Sequence, residues 1–206
     1  MYNYQKSAEA VLIQRAKRGD IKAFSELYSR IYVELYRFAL YTLKHPQEAE
    51  DAVSDTVMAA YEKISGLKKE ESFRSWIFTI LSNHCKSQFQ KRRQADELDE
   101  DYPAEESDYS VSQDVKRAFW NLDEEERLIV SFSVFGGYQS DEIGQMLKMN
   151  PATVRSRKKR ALEKMRTVLQ EVEVSLWKIK ETDSLQKKKS KIRLCGQQKI
   201  LKCRIL

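Results

Sequence analysis

SDEIGQMLKMNPATVRSRKKR, residues 140–160, is the stretch that decides the fold of this chain. Ile143 and Leu147 stand four apart, and Pro151 sits where a new helix opens, a position proline suits because its ring already has the helical φ. Between them Lys148-Met149-Asn150 leaves a three-residue turn, the spacing of a helix-turn-helix. Ser140 is expected to cap the first helix. Ile143 and Leu147 are expected to pack on Val154, Ala161, Leu162 and Met165 of the second. That packing turns Thr153, Arg155, Ser156, Lys159 and Arg160 outward, as donors suited to phosphates and guanine edges. A solvated basic face is the simpler alternative. Yet residues 151–170 hold seven basic side chains against one acidic, and so concentrated a charge repels itself unless an anion answers it.

Outward from this stretch the chain continues in helices. Residues 7–18 predict a short amphipathic helix stopped by Gly19, with Asp20 as the next N-cap. Phe24, Leu27, Tyr28, Ile31, Leu35, Phe38 and Ala39 recur at three- and four-residue spacing and predict one apolar stripe of about five turns. Pro46 opens a helix over 46–65 whose early acids complement the helix dipole. Its apolar face is Ala49, Ala52, Val53, Thr56, Val57, Ala60 and Ile64. Ser72 is placed to cap a helix over 72–93, with Phe73, Trp76, Ile77, Ile80 and Leu81 on one face. Helices over 115–121 and 124–134 and a turn at 135–138 complete the run. No strand pattern competes in the first 170 residues. The fold class is therefore all-α, in two small helical domains.

Charge divides the chain the same way. Residues 1–95 carry net +5, residues 96–114 carry −9, residues 115–150 carry −2, and residues 151–170 and 171–206 carry +6 each. Nine acids and no periodicity mark 96–114 as an extended linker. Residues 171–206 are expected to be an unstructured basic tail, with nonspecific phosphate affinity or contact with a regulator as the alternatives.

Several classes are disfavoured. No stretch approaches eighteen consecutive apolar residues, so direct membrane insertion is not expected. The N-terminus lacks a signal peptide's basic-then-apolar order, which makes the cytoplasm the default compartment. Cys85, Cys195 and Cys203 are the only cysteines and His45 and His84 the only histidines. They offer no disulfide framework, no zinc spacing and no histidine-centred nucleophile. No catalytic residue, metal, cofactor or small-molecule substrate is expected.

The order of motifs then points to a family. GDIKAFSELY (19–28), AEDAVSDTV (49–57), SFRSWIFTILSN (72–83), an acidic linker and SDEIGQMLKMNPATVRSRKKRA (140–161) together resemble the extracytoplasmic-function (ECF) sigma factors, the smallest members of the bacterial sigma-70 superfamily. Each motif alone is modest; four in one order are specific, and they cover about residues 1–170.

The resemblance implies a promoter-recognition subunit of RNA polymerase. Residues 1–95 would form the sigma2 domain, 96–114 the linker, 115–170 the sigma4 domain, and 171–206 lie beyond the family's pattern. By similarity Glu50, Asp51, Ser54 and Asp55 would meet the polymerase clamp. Helix 72–93 would serve the −10 element, which a flipped base and single-stranded DNA must reach through polar, aromatic and basic groups. Ser72, Arg74, Asn83, Lys86 and Gln90 are the candidates there, with Lys91, Arg92 and Arg93 on phosphates. Phe73 and Trp76 are assigned to core packing. The helix at 151 would read the −35 element, and the linker would thread the RNA-exit path. The chain departs from the family in having Ser54 and Val57 where Gln and Phe are usual, and Ser87 where Asp is. The partners implied are core RNA polymerase, promoter DNA and an anti-sigma factor. A stand-alone helix-turn-helix regulator is the competing class; it normally carries a dimerisation or effector domain, and none is legible. A nucleic-acid enzyme would need a carboxylate–metal or nucleophilic constellation, and none appears.

Overall fold

In the computed structural model, residues 3–95 and 113–170 are described. They form eight α-helices and two short 3₁₀ turns, with no strand among them. The expected linker and tail otherwise lie outside the described residues.

The first half is a helical bundle. Helix α1 (Glu9–Lys17) ends at Gly19, which takes the left-handed φ of +87° that a helix stop needs. Asp20 then caps α2 (Ile21–Leu43), its carboxylate accepting from the Ala23 N–H at 3.2 Å. Partial burial opposes charge on Asp20. The bonds from Arg15, the Ala23 amide and Tyr4 outweigh it and hold the carboxyl below its usual range. Arg30 fixes the N-terminal segment by donating to the carbonyls of Tyr4, Gln5 and Ser7. Lys44 turns the chain in a left-handed conformation (φ 66°), and His45 caps α3 (Pro46–Lys63). The proline thus begins the helix as its fixed φ requires.

Helix α3 ends earlier than its periodicity suggests, passing at Ile64–Gly66 into a 3₁₀ turn. A second turn, Glu70–Ser72, leads into α4 (Phe73–Ala95). Ser72 is not a cap: its hydroxyl donates to the Lys69 carbonyl at 2.7 Å within that turn. Phe73, Ile77 and Leu81 are buried against α2 and α3, while Trp76 and Ile80 are half-buried beside them.

The second half comprises α5 (Gln113–Trp120), α6 (Glu124–Val134), α7 (Ser140–Leu147) and α8 (151–170). Asp123 and Glu126 cap α6 reciprocally: the Glu126 N–H donates to Asp123 at 2.8 Å, and the Asp123 N–H to Glu126 at 3.2 Å. Ser140 is the first helical residue of α7 rather than its cap. That place belongs to Gln139, whose N–H donates to Glu142 at 2.7 Å. The turn into α8 is tight. Lys148 adopts φ 56°, and a Cβ on Gly144 would stand 2.8 Å from the Met149 carbonyl oxygen. Only glycine lets the turn pass that close.

The two halves share one core. Helices α2 and α4 pack against α6 and α7, and buried side chains run continuously from Leu12 to Val154. Phe38 lies 5.5 Å from Phe78 and 4.8 Å from Phe132, with all three rings fully buried. Polar groups close the seam. The Thr42 and Ser131 hydroxyls are 3.0 Å apart, and the Arg127 guanidinium donates to the carbonyls of Thr42 at 2.9 Å and Leu122 at 2.6 Å. Arg127 also lies over the Phe89 ring at 5.7 Å.

Candidate nucleic-acid interface

Val154 and Ala161 are fully buried and set the rotation of α8. Arg155, Ser156, Lys159 and Arg160 are consequently exposed and Thr153 half-buried, in two adjacent rows at three- and four-residue spacing. The expected apolar partner Leu162 is instead 44% exposed, about 100° around the helix from buried Ala161 and on the side away from Arg157 and Lys164, and α8 is held on that other side by charge. The Lys164 ammonium donates to both oxygens of Glu126, at 2.7 and 2.8 Å, and Arg157 pairs with Glu125. The basic residues therefore divide. Arg157 and Lys164 anchor the helix, while Lys159 and Arg160 remain turned to solvent. Arg155 pairs with Asp141 of α7 at 3.0 Å, which orients its guanidinium beside the helix N-terminus.

Helix α4 places its candidates less uniformly. Asn83, Gln90 and Lys91 are exposed, and Ser72 and Lys86 half-buried. Burial, and then the charge of Lys148, push the Lys86 ammonium below its usual range. Arg74 pairs with Glu34 and lies 5.7 Å from the Phe78 ring. Arg93 pairs with Glu124 across the seam. Arg92 donates to Glu48 through Nε at 3.0 Å and Nη2 at 2.5 Å, and to the Leu43 carbonyl at 3.0 Å. Its guanidinium therefore ties α4 to the α2–α3 corner.

On α3, Glu50, Asp51, Ser54 and Asp55 are all exposed and contiguous. Asp55 Oδ2 lies 3.9 Å from His84 Nδ1 of α4. The face continues into Met58, 61% exposed, and Tyr61, 40% exposed. Those two side chains extend the acidic face with an apolar end, and they lie one and two turns beyond Ser54, where periodicity alone could have found them.

The two halves match two parts of one family. Residues 27–95 match Sigma-70 region 2, and residues 112–165 match Sigma-70 region 4. A relative in Mycobacterium tuberculosis, the ECF RNA polymerase sigma factor SigM, is 27% identical over 166 residues, 79% of this chain and 85% of the relative. The chain belongs to the ECF sigma factors.

Solved structures agree with that placement. The sigma factor RpoE of Bartonella quintana, solved with its anti-sigma factor NepR, is 25% identical with a TM-score of 0.65, covering 73% of this chain and 98% of RpoE. CnrH, solved with the cytosolic domain of CnrY, shares the fold at 22% identity and a TM-score of 0.61, over 80% of this chain and 99% of CnrH. The helix-turn-helix of this sigma factor thus lies in its region 4 half, and the exposed faces of α3 and α4 in its region 2 half. No helix among the described residues is long and apolar enough to cross a membrane.

Proposed function

We propose that this sigma factor binds core RNA polymerase through region 2 and directs initiation at promoters read by both halves. The observation that carries this is the pairing, on one chain, of an exposed acidic α3 face with an exposed basic face at the start of α8. Glu50, Asp51, Ser54 and Asp55, with Met58 and Tyr61 beside them, form the surface for a basic element of the polymerase clamp. Thr153, Arg155, Ser156, Lys159 and Arg160 enter the major groove at the −35 element, where guanidinium and ammonium groups suit guanine edges and phosphates. Asn83, Lys86 and Gln90, with Ser72, Arg74, Lys91, Arg92 and Arg93, serve the −10 element. Residues 1–95 serve as the sigma2 domain and 115–170 as the sigma4 domain. The protein works in the cytoplasm and lends specificity to the polymerase's active site without chemistry of its own. An anti-sigma factor is its natural regulator, as for the relatives solved with theirs.

Glu50→Lys with Asp51→Lys tests the clamp assignment. Both side chains are exposed, so the fold is expected to survive. Affinity for core polymerase, read by fluorescence anisotropy, is expected to fall about tenfold or more, because like charges then face each other across the interface. Unchanged affinity would place the clamp surface elsewhere.

A further inference from the structure

Two neighbouring acids, Asp141 and Glu142, stand in the first turn of α7, the helix that leads into the DNA-facing α8. Glu142 closes the helix cap, its carboxylate accepting the Gln139 N–H at 2.7 Å. Asp141 reaches across to α8 instead. Its Oδ1 accepts Nη1 of Arg155 at 3.0 Å. The two side chains are 68% and 57% exposed, and an ion pair so open to water adds little to stability. On a face that meets a polyanion, the carboxylate also repels phosphate. Neither stability nor raw affinity for DNA accounts for an acid at this place.

The bond does account for orientation. An arginine loose on a helix surface swings on its long stem and reaches whichever phosphate is nearest. Bonding through Nη1 holds the guanidinium plane and leaves its Nε and Nη2 edge unbonded among the described residues. That edge is a planar fork of the kind that fits guanine O6 and N7 together. The neighbouring cations are held differently. Lys159 has Glu163 of its own helix at 4.0 Å, beyond hydrogen-bond distance, and an ammonium has no fork to aim. Arg157 turns the other way, to Glu125 of α6.

We propose that Asp141 is a positioning residue that sets specificity: by holding Arg155, it makes that guanidinium a reader of one −35 base pair instead of a general phosphate contact. The inference rests on the sigma reading above and adds Asp141 to it. Two effects act together. The carboxylate offsets part of the Arg155 charge, which lowers affinity for every duplex alike. The held rotamer has less freedom to lose on meeting its base, which favours the correct site alone. Specificity is the ratio of those two affinities, and both effects raise it.

Asp141→Ala tests this in the full chain with core RNA polymerase. Run-off yield is measured on a promoter and on templates with single base pairs replaced across its −35 element. Arg155→Ala identifies the base pair concerned, as the one whose replacement no longer matters to that variant. Replacing this pair is expected to cost the wild type about tenfold. With Asp141→Ala the cost should fall to about threefold or less, at that pair alone, and adding Arg155→Ala should remove nothing further. Promoter-free duplex should compete about twofold or more better, because one repelling charge is gone. Glu163→Ala removes an equal charge from α8 and should strengthen that competitor while leaving every base preference as it was. Asp141→Glu keeps a carboxylate and should restore the preference. An unchanged cost at the pair Arg155 reads overturns the proposal, as does a loss spread evenly over the −35 element or one that Asp141→Glu leaves unrestored. So does an Arg155→Ala variant that keeps every preference. A wild-type protein that initiates nowhere with core polymerase overturns the sigma reading itself, and this inference with it.

Discussion

Replacing Arg155 and Arg160 with alanine is expected to cut initiation roughly a hundredfold at promoters that depend on their −35 element. A side chain that reaches a base edge contributes about 1–3 kcal/mol of discrimination, so two such losses combine to that order. The fold should survive, because the partner that Arg155 gives up is the exposed carboxylate of Asp141, and exposed pairs contribute about 0–1 kcal/mol. Val154 and Ala161 still seat the helix. The signature is selectivity. Run-off yield should fall at templates with an intact −35 element and stay level at templates where that element is scrambled. If α8 contributes only charge, both templates fall together, and the salt slope flattens by about one for each phosphate that is no longer neutralised.

Phe38→Ala is the substitution expected to cost most in stability. The ring is fully buried and touches Phe78 of region 2 and Phe132 of region 4. Truncating a buried phenylalanine costs about 3–5 kcal/mol through lost transfer energy and the cavity left behind. A domain of this size has about 5–15 kcal/mol to lose. Urea unfolding followed by circular dichroism should show a large fall in midpoint. Tryptophan fluorescence divides the effect further in variants that keep Trp76 or Trp120 alone, the other and Trp177 being replaced by phenylalanine, since Trp76 belongs to region 2 and Trp120 to region 4. A shared core requires both signals to shift. A shift of Trp76 alone would confine Phe38 to its own half.

Much of this architecture is legible in the residues. Asp20, Pro46 and Pro151 place helix starts because each satisfies or fixes a backbone group that the helix itself cannot. The stripes of α2 and α3 follow a single period, and Val154 with Ala161 predicts which side of α8 faces water. Most misreadings share one cause: local rules give way where a neighbour supplies the bond. Ser72 and Ser140 carry capping side chains. The first donates within a 3₁₀ turn, and the second gives up the cap to Gln139, whose backbone N–H is met by Glu142. Leu162 is apolar yet stays 44% exposed, about 100° around α8 from the row that Val154 and Ala161 bury. Arg92 looks like one more cation in a basic run, and only the bend at His45 brings Glu48 to it. The seam was hardest to see. Its signal, the all-round burial of 38–43 and the second row Phe78, Cys85 and Phe89, reads as surplus hydrophobicity until region 4 is laid against it.

The central claim is that this chain confers promoter specificity on RNA polymerase, and one measurement addresses it directly. Purified core RNA polymerase, the full-length protein and sheared genomic DNA from its host are combined for one round of transcription, and the 5′ ends of the transcripts are sequenced. The prediction is a set of discrete start sites sharing two upstream elements, absent with core enzyme alone and absent with the protein alone. Random start sites, together with tight binding of the protein alone to duplex DNA, would contradict it.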